Sequence, residues 1–219
     1  MTLRPVVLYS QEPATLRKAS KPVDALGPSE MQLIRDLKDT LLHRTDGIGL
    51  AAPQIASHRR VIAVWLGSRD GSRSDSPQIM VNPEILQESE PLRDYDGCLS
   101  FPDLYGETVR PHLLTVKGLD EAGKPFRRRL VGFDAVLVHH EIDHLEGVLF
   151  IDRASSLEDL YVLELDQAHR PVRRNLSVLE ALRMGIEIGR HATSLNSRHV
   201  LPNRVKVPRS VVQRLPGNS

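Results

Sequence analysis

The ten residues from Val138 to Gly147, VHHEIDHLEG, hold three histidines and three carboxylates. Within them lies H-E-x-x-H: His140, Glu141 and His144. On a helix, residues four apart are rotated by only about 40°, so both imidazoles leave the same face. Two nitrogens placed that way can reach one metal ion at bond lengths of about 2 Å. Glu141, beside a ligand, can reach a water activated there without occupying the metal itself. His139 is rotated by about 140° from His144, so those two do not easily share an ion. His139 and Asp143 are also four apart, on a neighbouring face, and can pair with each other. The bland alternative is a helix with surface histidines, and a chain with nine histidines can carry the pattern by accident. A metal also needs a third ligand.

No histidine follows His144 in LEGVLFIDRA, where a helical extension of the motif would place one. Cys98, the single cysteine, offers a thiolate instead. It sits in DYDGCLSFPD, where Gly97 permits close backbone approach and Ser100-Phe101-Pro102 suggests a fixed turn. A lone cysteine is more often an inert buried residue, but the need for a third ligand raises its standing. A second segment of interest is GIGLAAPQI, 47–55. Two glycines bracket Ile48 and small residues follow, which marks a loop whose backbone comes close to something. It is not a phosphate loop, since no Lys-Ser/Thr follows and no strand precedes it.

The elements that must position these groups follow from periodicity. Residues 28–46 carry Met31, Ile34, Leu37 and Leu41 at helical spacing, with Pro28 and Ser29 at the start and Gly47 at the stop. Residues 60–66, RVIAVWL, read as a buried strand, 67–78 as a polar hairpin loop, and 79–86 as a strand broken by Pro83 and therefore near an edge. Residues 113–131 form a hairpin around Glu121-Ala122-Gly123. Residues 132–147 read as a buried helix ended by Gly147. Helix, several strands, then helix points to an α+β domain rather than repeating βαβ units.

The chain has 219 residues and 40% apolar composition, enough for one cored domain and some extra. A net charge of +1 gives no overall nucleic-acid signature. One cysteine excludes an intrachain disulfide, which fits a reducing compartment. No apolar run is long enough for a membrane span, and the N-terminus lacks a signal core, so the expectation is a cytoplasmic protein without a membrane partner. From Arg170 to Ser219 there are ten Lys/Arg against two Glu. Within this basic segment, 177–190 suggests a helix, because Ser177 and Glu180 form a capping box, although Gly185 and Gly189 weaken it. Residues 194–219 show no periodicity and are expected to be mobile.

Three segments in this order, GIGLAAPQ (47–54), DGCLS (96–100) and HEIDH (140–144), resemble the three signature motifs of the peptide deformylase family, with VNPEI and GVLFIDR as further similar stretches. The resemblance covers roughly residues 1–165, leaving 166–219 as a basic extension, partly helical or mobile. It implies mixed or antiparallel strands around a buried metal-bearing helix, with an N-terminal helix. It implies a hydrolase that removes the formyl group from the N-terminal formyl-methionine of new polypeptides.

Carried over by motif position, Cys98, His140 and His144 are the metal ligands, with a water in the fourth place. Glu141 is the general acid/base, and Gln54 with the Leu99 N–H stabilises the oxyanion. Ile48 and Gly49 bind the substrate backbone. Phe133, Val136 and Leu137 line the methionine pocket, with Asp96 near it. The resemblance implies Fe(II) in the cell, with Zn(II), Ni(II) or Co(II) as substitutes, in a monomer working at the ribosome, where the basic tail could contact RNA.

Departures are Asp96 where the family usually has Glu, His139 where it usually has Gln, and Phe101 where Ile or Val is commoner. Arg110 matches a family arginine expected to pair with Asp143. Two other readings compete. One is a metallopeptidase of the H-E-x-x-H kind, which leaves Gln54 and Cys98 without a role. The other is an inactive ribosome- or nucleic-acid-binding module, against which the intact Glu141 and Gln54 speak.

Overall fold

The computed structural model describes residues 3–68 and 74–186. A turn of helix, α1 (Pro13–Leu16), precedes α2 (Pro28–Leu42). Then come β1 (Gly49–Ala51), a 3-10 turn (Ala52–Ile55), β2 (Val61–Val64), β3 (Gln78–Gly97), β4 (Leu104–Leu119) and β5 (Pro125–Val131). The buried helix α3 (Phe133–Leu145) follows, then α4 (Phe150–Arg153), a second 3-10 turn (Leu157–Asp159), β6 (Leu160–Leu165), β7 (Pro171–Asn175) and α5 (Val178–Arg183). The strands run in the order β1-β2-β3-β4-β6-β7, with β5 also on β4, and every strand pair is antiparallel. The result is an α+β fold with the sheet wrapped around α3. Among the described residues no helix is long and apolar enough to cross a membrane.

Side-chain alternation explains how the two main helices share one strand. Along β2, Ile62 and Val64 face α3, where they meet Leu137, Val138 and Ile142. Val61, Ala63 and the following Trp65 face α2, where they meet Ile34, Leu37 and Leu41. Both faces are covered, so the strand reads as an unbroken apolar run rather than an alternating one. Helix α3 is buried from Ala135 to Leu145, which is why its sequence is apolar on most sides and its polar residues must all find partners. Its end is fixed by Gly147 at φ +73°, where a Cβ would stand 2.2 Å from the Arg17 carbonyl oxygen. Only glycine tolerates both conditions.

The strand expected over 79–86 is the first part of a much longer one. Pro83 falls where the register with β4 shifts, between Val81 and Glu84, just where pairing to β2 ends. A bulge therefore accommodates the proline within the long strand. Past it, β3 continues as an arm along β4 to Gly97↔Tyr105, while the other side of β4 takes β5 near the base and β6 near the tip. Cys98 lies at the tip, in a turn closed by Phe101 N–H to Cys98 O at 2.9 Å.

Beyond residue 165 the chain does not leave the domain at once. β7 pairs along β6, and α5 folds back so that Leu176, Ala181 and Ile186 are buried with Tyr9, Phe101, Leu104 and Phe150. The Ser177 Oγ accepts from the Glu180 N–H, and the Glu180 carboxylate accepts from the Ser177 N–H at 2.8 Å. That is the capping box the sequence suggests. The helix stops at Arg183, earlier than 190, because Gly185 takes φ +66°. Residues 194–219, expected to be mobile, lie outside the described residues.

This attachment has a measurable consequence. Leu176→Ala removes a buried side chain from the cluster behind Phe101 and Phe150, at a cost of about 2–3 kcal/mol. Its thermal melt is expected to fall by roughly 5–10 °C. A melt within 1 °C of the unaltered chain would show that residues after Leu165 do not support the fold.

Candidate active site

The tip of the β3–β4 arm folds over α3, so that Cys98 meets the two histidines. One donor atom from each of Cys98, His140 and His144 lies within 4.8 Å of the others. The Cys98 Sγ is 3.2 Å from His144 Nε2. A tetrahedral ion with sulfur and nitrogen ligands holds its donors roughly 3.3–3.6 Å apart, so the spacing fits with little movement. His144 Nδ1 is buried without a hydrogen-bond partner among the described residues. His140 Nδ1 is taken by Asp96 Oδ1 at 2.7 Å, which leaves Nε2 to face the thiol. A carboxylate behind an imidazole fixes its tautomer and orientation in the way metal ligands need.

A buried charged cluster stands behind these donors. Arg110, 2% exposed, donates Nε–H to Asp96 Oδ2 and Nη1–H to Asp143 Oδ2, both at 2.7 Å. Thr108 Oγ1 donates to Asp96 Oδ2, and Arg153 donates through Nε and Nη2 to both oxygens of Asp143. Burial would raise both aspartates, but Arg110 outweighs it, joined by His140 at Asp96 and by Arg153 at Asp143. Both carboxyls are held well below the usual range. Burial likewise lowers His140, but the Asp96 carboxylate overrides it and holds the imidazole well above its ordinary value. An ion must therefore displace a proton there. Burial and the neighbouring His140 push His144 well down, so its lone pair stays available.

Glu141 is also buried, and burial pushes its carboxyl up to about 7. Its Oε2 has no partner among the described residues. Gly49 gives it room: a Cβ at that position would stand 2.2 Å from Glu141 Oε1 and 2.8 Å from Leu137 Cδ1. Gln54 is aimed from the other side. Its Oε1 accepts from the Ala51 N–H at 2.8 Å, which turns its amide nitrogen toward Ser100 Oγ at 3.2 Å and Cys98 Sγ at 3.4 Å. Leu99 packs at Gly47, where a Cβ would meet its Cδ1 at 2.6 Å. The Ile48 carbonyl accepts from the Trp65 N–H, and β1 is paired with β2 along one edge.

Phe133, Leu137, His140, Glu141 and His144 recur at helical spacing along α3, with Val136 four residues before His140. Val136 and Leu137 are buried, and Phe133 is half-buried in the first turn. The Asp96 carboxylate is buried behind His140, where Arg110 neutralises it and Thr108 bonds it. Arg110 pairs with Asp143 as its alignment suggests, and with Asp96 as well. Glu146, at the end of α3, is exposed and pairs with Arg60. Thr108, Ser100 and Arg153 were not singled out from sequence. Ser100 and Arg153 lie inside similar stretches and could have been, whereas Thr108 carries no local signal.

The profile of the polypeptide deformylase family matches residues 3–159. The peptide deformylase of Caulobacter vibrioides is 42% identical over 159 residues, covering 72% of this chain and 90% of that protein. The one from Caldicellulosiruptor bescii is 41% identical over 153 residues, covering 70% and 86%. Among solved structures, a peptide deformylase from Legionella pneumophila superposes with a TM-score of 0.64 at 38% identity, covering 71% of this chain and 88% of that one. The Acinetobacter baumannii enzyme, a class I type b peptide deformylase bound to Met-Ala-Ser, gives 0.62 at 35% identity, covering 69% and 98%. The sheet wrapped around a histidine-bearing helix, the Cys/His/His group and these likenesses agree: the chain belongs to the peptide deformylase family of enzymes.

Proposed function

We propose that this chain hydrolyses the N-formyl group of N-terminal formyl-methionine on newly made polypeptides, releasing formate. One observation carries the reading: a Cys/His/His donor set shares a buried space with a carboxylate that has an unpartnered oxygen and with an amide nitrogen aimed by the backbone. A divalent ion held by Cys98 Sγ and the Nε2 atoms of His140 and His144 supplies Lewis-acid activation of water and carbonyl oxygen. The mixed sulfur and nitrogen donors suit Fe(II), our choice for the cell, and equally Zn(II), Ni(II) or Co(II).

The residues of the chain divide the remaining work. Glu141 takes the proton of the attacking water and delivers it to the leaving amine, a role its buried carboxylate beside the donor set suits. The Gln54 amide and the Leu99 N–H stabilise the negative charge on the carbonyl oxygen during attack. Gly49 begins β1 and Ile48 directly precedes it, and the second edge of β1 can pair with an extended peptide. Phe133, Val136 and Leu137 offer an apolar surface for the methionine side chain, and the peptide Met-Ala-Ser held by the Acinetobacter relative is of the matching kind. The basic residues after Arg170 suit a contact with ribosomal RNA, in a monomer of the cytoplasm.

The assay is formate release from formyl-Met-Ala-Ser by the metal-loaded protein. Glu141→Gln is expected to lower kcat roughly 10²–10⁴-fold while still binding Co(II). Gln54→Ala is expected to lower it by about 10²–10³-fold with little change in KM. Undiminished formate from Glu141→Gln would end this reading.

Burial of Glu141 also sets a pH dependence in the chelated protein. Its ordinary value is 4.5 and its folded value about 7, so between them the folded chain holds a proton that the unfolded chain has lost. Stability from this group therefore declines as pH rises through that window, by up to about 3 kcal/mol. Glu141→Gln escapes the decline. Its melting temperature should gain on the unaltered chain between pH 5 and pH 8, and parallel curves would contradict the assignment.

A further inference from the structure

His139 has no part in the reaction above, yet it is almost fully buried and bonded at both ring nitrogens. Its Nδ1 lies 2.8 Å from Arg110 Nη1, and its Nε2 lies 3.4 Å from Glu88 Oε2. We propose that His139 is a positioning residue for His140, acting through Arg110 as a neutral hydrogen-bond acceptor. The proposal rests on the reading of His140 as a metal ligand.

A guanidinium has donors only, so the His139 Nδ1 facing it must carry a lone pair. The ring proton then sits on Nε2, toward Glu88. Arg110 spends its inward donors fully: Nε–H on Asp96, and the two Nη1 hydrogens on Asp143 and His139. With acceptors on Nε and on both Nη1 hydrogens, the guanidinium is held in one orientation. That orientation aims Nε at the carboxylate whose other oxygen holds His140 Nδ1 at 2.7 Å. Without the acceptor at 139, a buried cationic N–H loses its partner and the plane can turn toward Asp143 or toward His140 Nδ1, 3.3 Å from Nη2. Either turn loosens Asp96, and through it the ligand.

The outer edge of the His139 ring borders a cleft of about 290 Å³ lined by Arg60, Glu84, Glu88, Glu146 and Arg153. A different side chain at 139 thus has room, and substitution need not force the core apart.

The test is a Co(II) titration of the metal-free full chain, followed by the thiolate-to-cobalt absorption band, with formyl-Met-Ala-Ser kinetics alongside. His139→Leu, with no acceptor, is expected to bind Co(II) 10–100-fold more weakly and to lose kcat at unchanged KM. His139→Gln, whose side-chain carbonyl can accept from Arg110, is expected to restore affinity to within about threefold of the unaltered chain. A folded His139→Leu protein that binds Co(II) within twofold, whatever its melting temperature, overturns the proposal. So does a His139→Gln protein as impaired as His139→Leu. If instead His140→Ala leaves the band and the affinity unchanged, the ligand reading itself is wrong, and the proposal with it.

Discussion

One buried guanidinium governs the architecture of the site. Arg110 projects from β4 between two carboxylates, one on the sheet arm at Asp96 and one on α3 at Asp143. Either carboxylate alone in that interior would take up a proton or draw in water. Bound to Arg110, both stay charged, and the strand arm is tied to the helix at a fixed height and rotation. Such a group adds little net stability over an apolar filling, but losing one member costs about 3–5 kcal/mol because the others are left uncompensated. The arrangement of Cys98 against His140 and His144 is therefore set by the ion pairs standing behind them.

Much of the site was legible because its chemistry is local in sequence. His140 and His144 share a helix face at any register, and Gly147 announces the end of that helix. Gln54 gained meaning from its segment and not from its own type. The partners of Asp96 were not legible, because they are Arg110 and His140, distant in sequence. Thr108 is in the same position: a threonine in a strand carries no sign of the carboxylate it will meet.

The fold was legible where one face of an element is buried, as in α2, or where a turn has its own chemistry, as at Gly123. It was not legible along the β3–β4 arm. From Glu88 to Arg93 the strand is largely exposed and interrupted by Pro91, so no alternation survives to mark it. Pairing with β4 holds it, and pairing leaves no trace in composition. The hairpin β6–β7 was missed for a similar reason, since β7 is exposed along its length. The helix after it was visible through Ser177 and Glu180, because a cap is a contact between near neighbours.

The donors of the Cys/His/His group come from two places, the tip of a strand arm and a helix about forty residues later. An ion gripping all three would therefore act as a clip across a long loop, removing from the unfolded ensemble most conformations in which arm and helix are apart. The helix alone presents two imidazoles and so a weak grip; the third donor depends on where the sheet places Cys98.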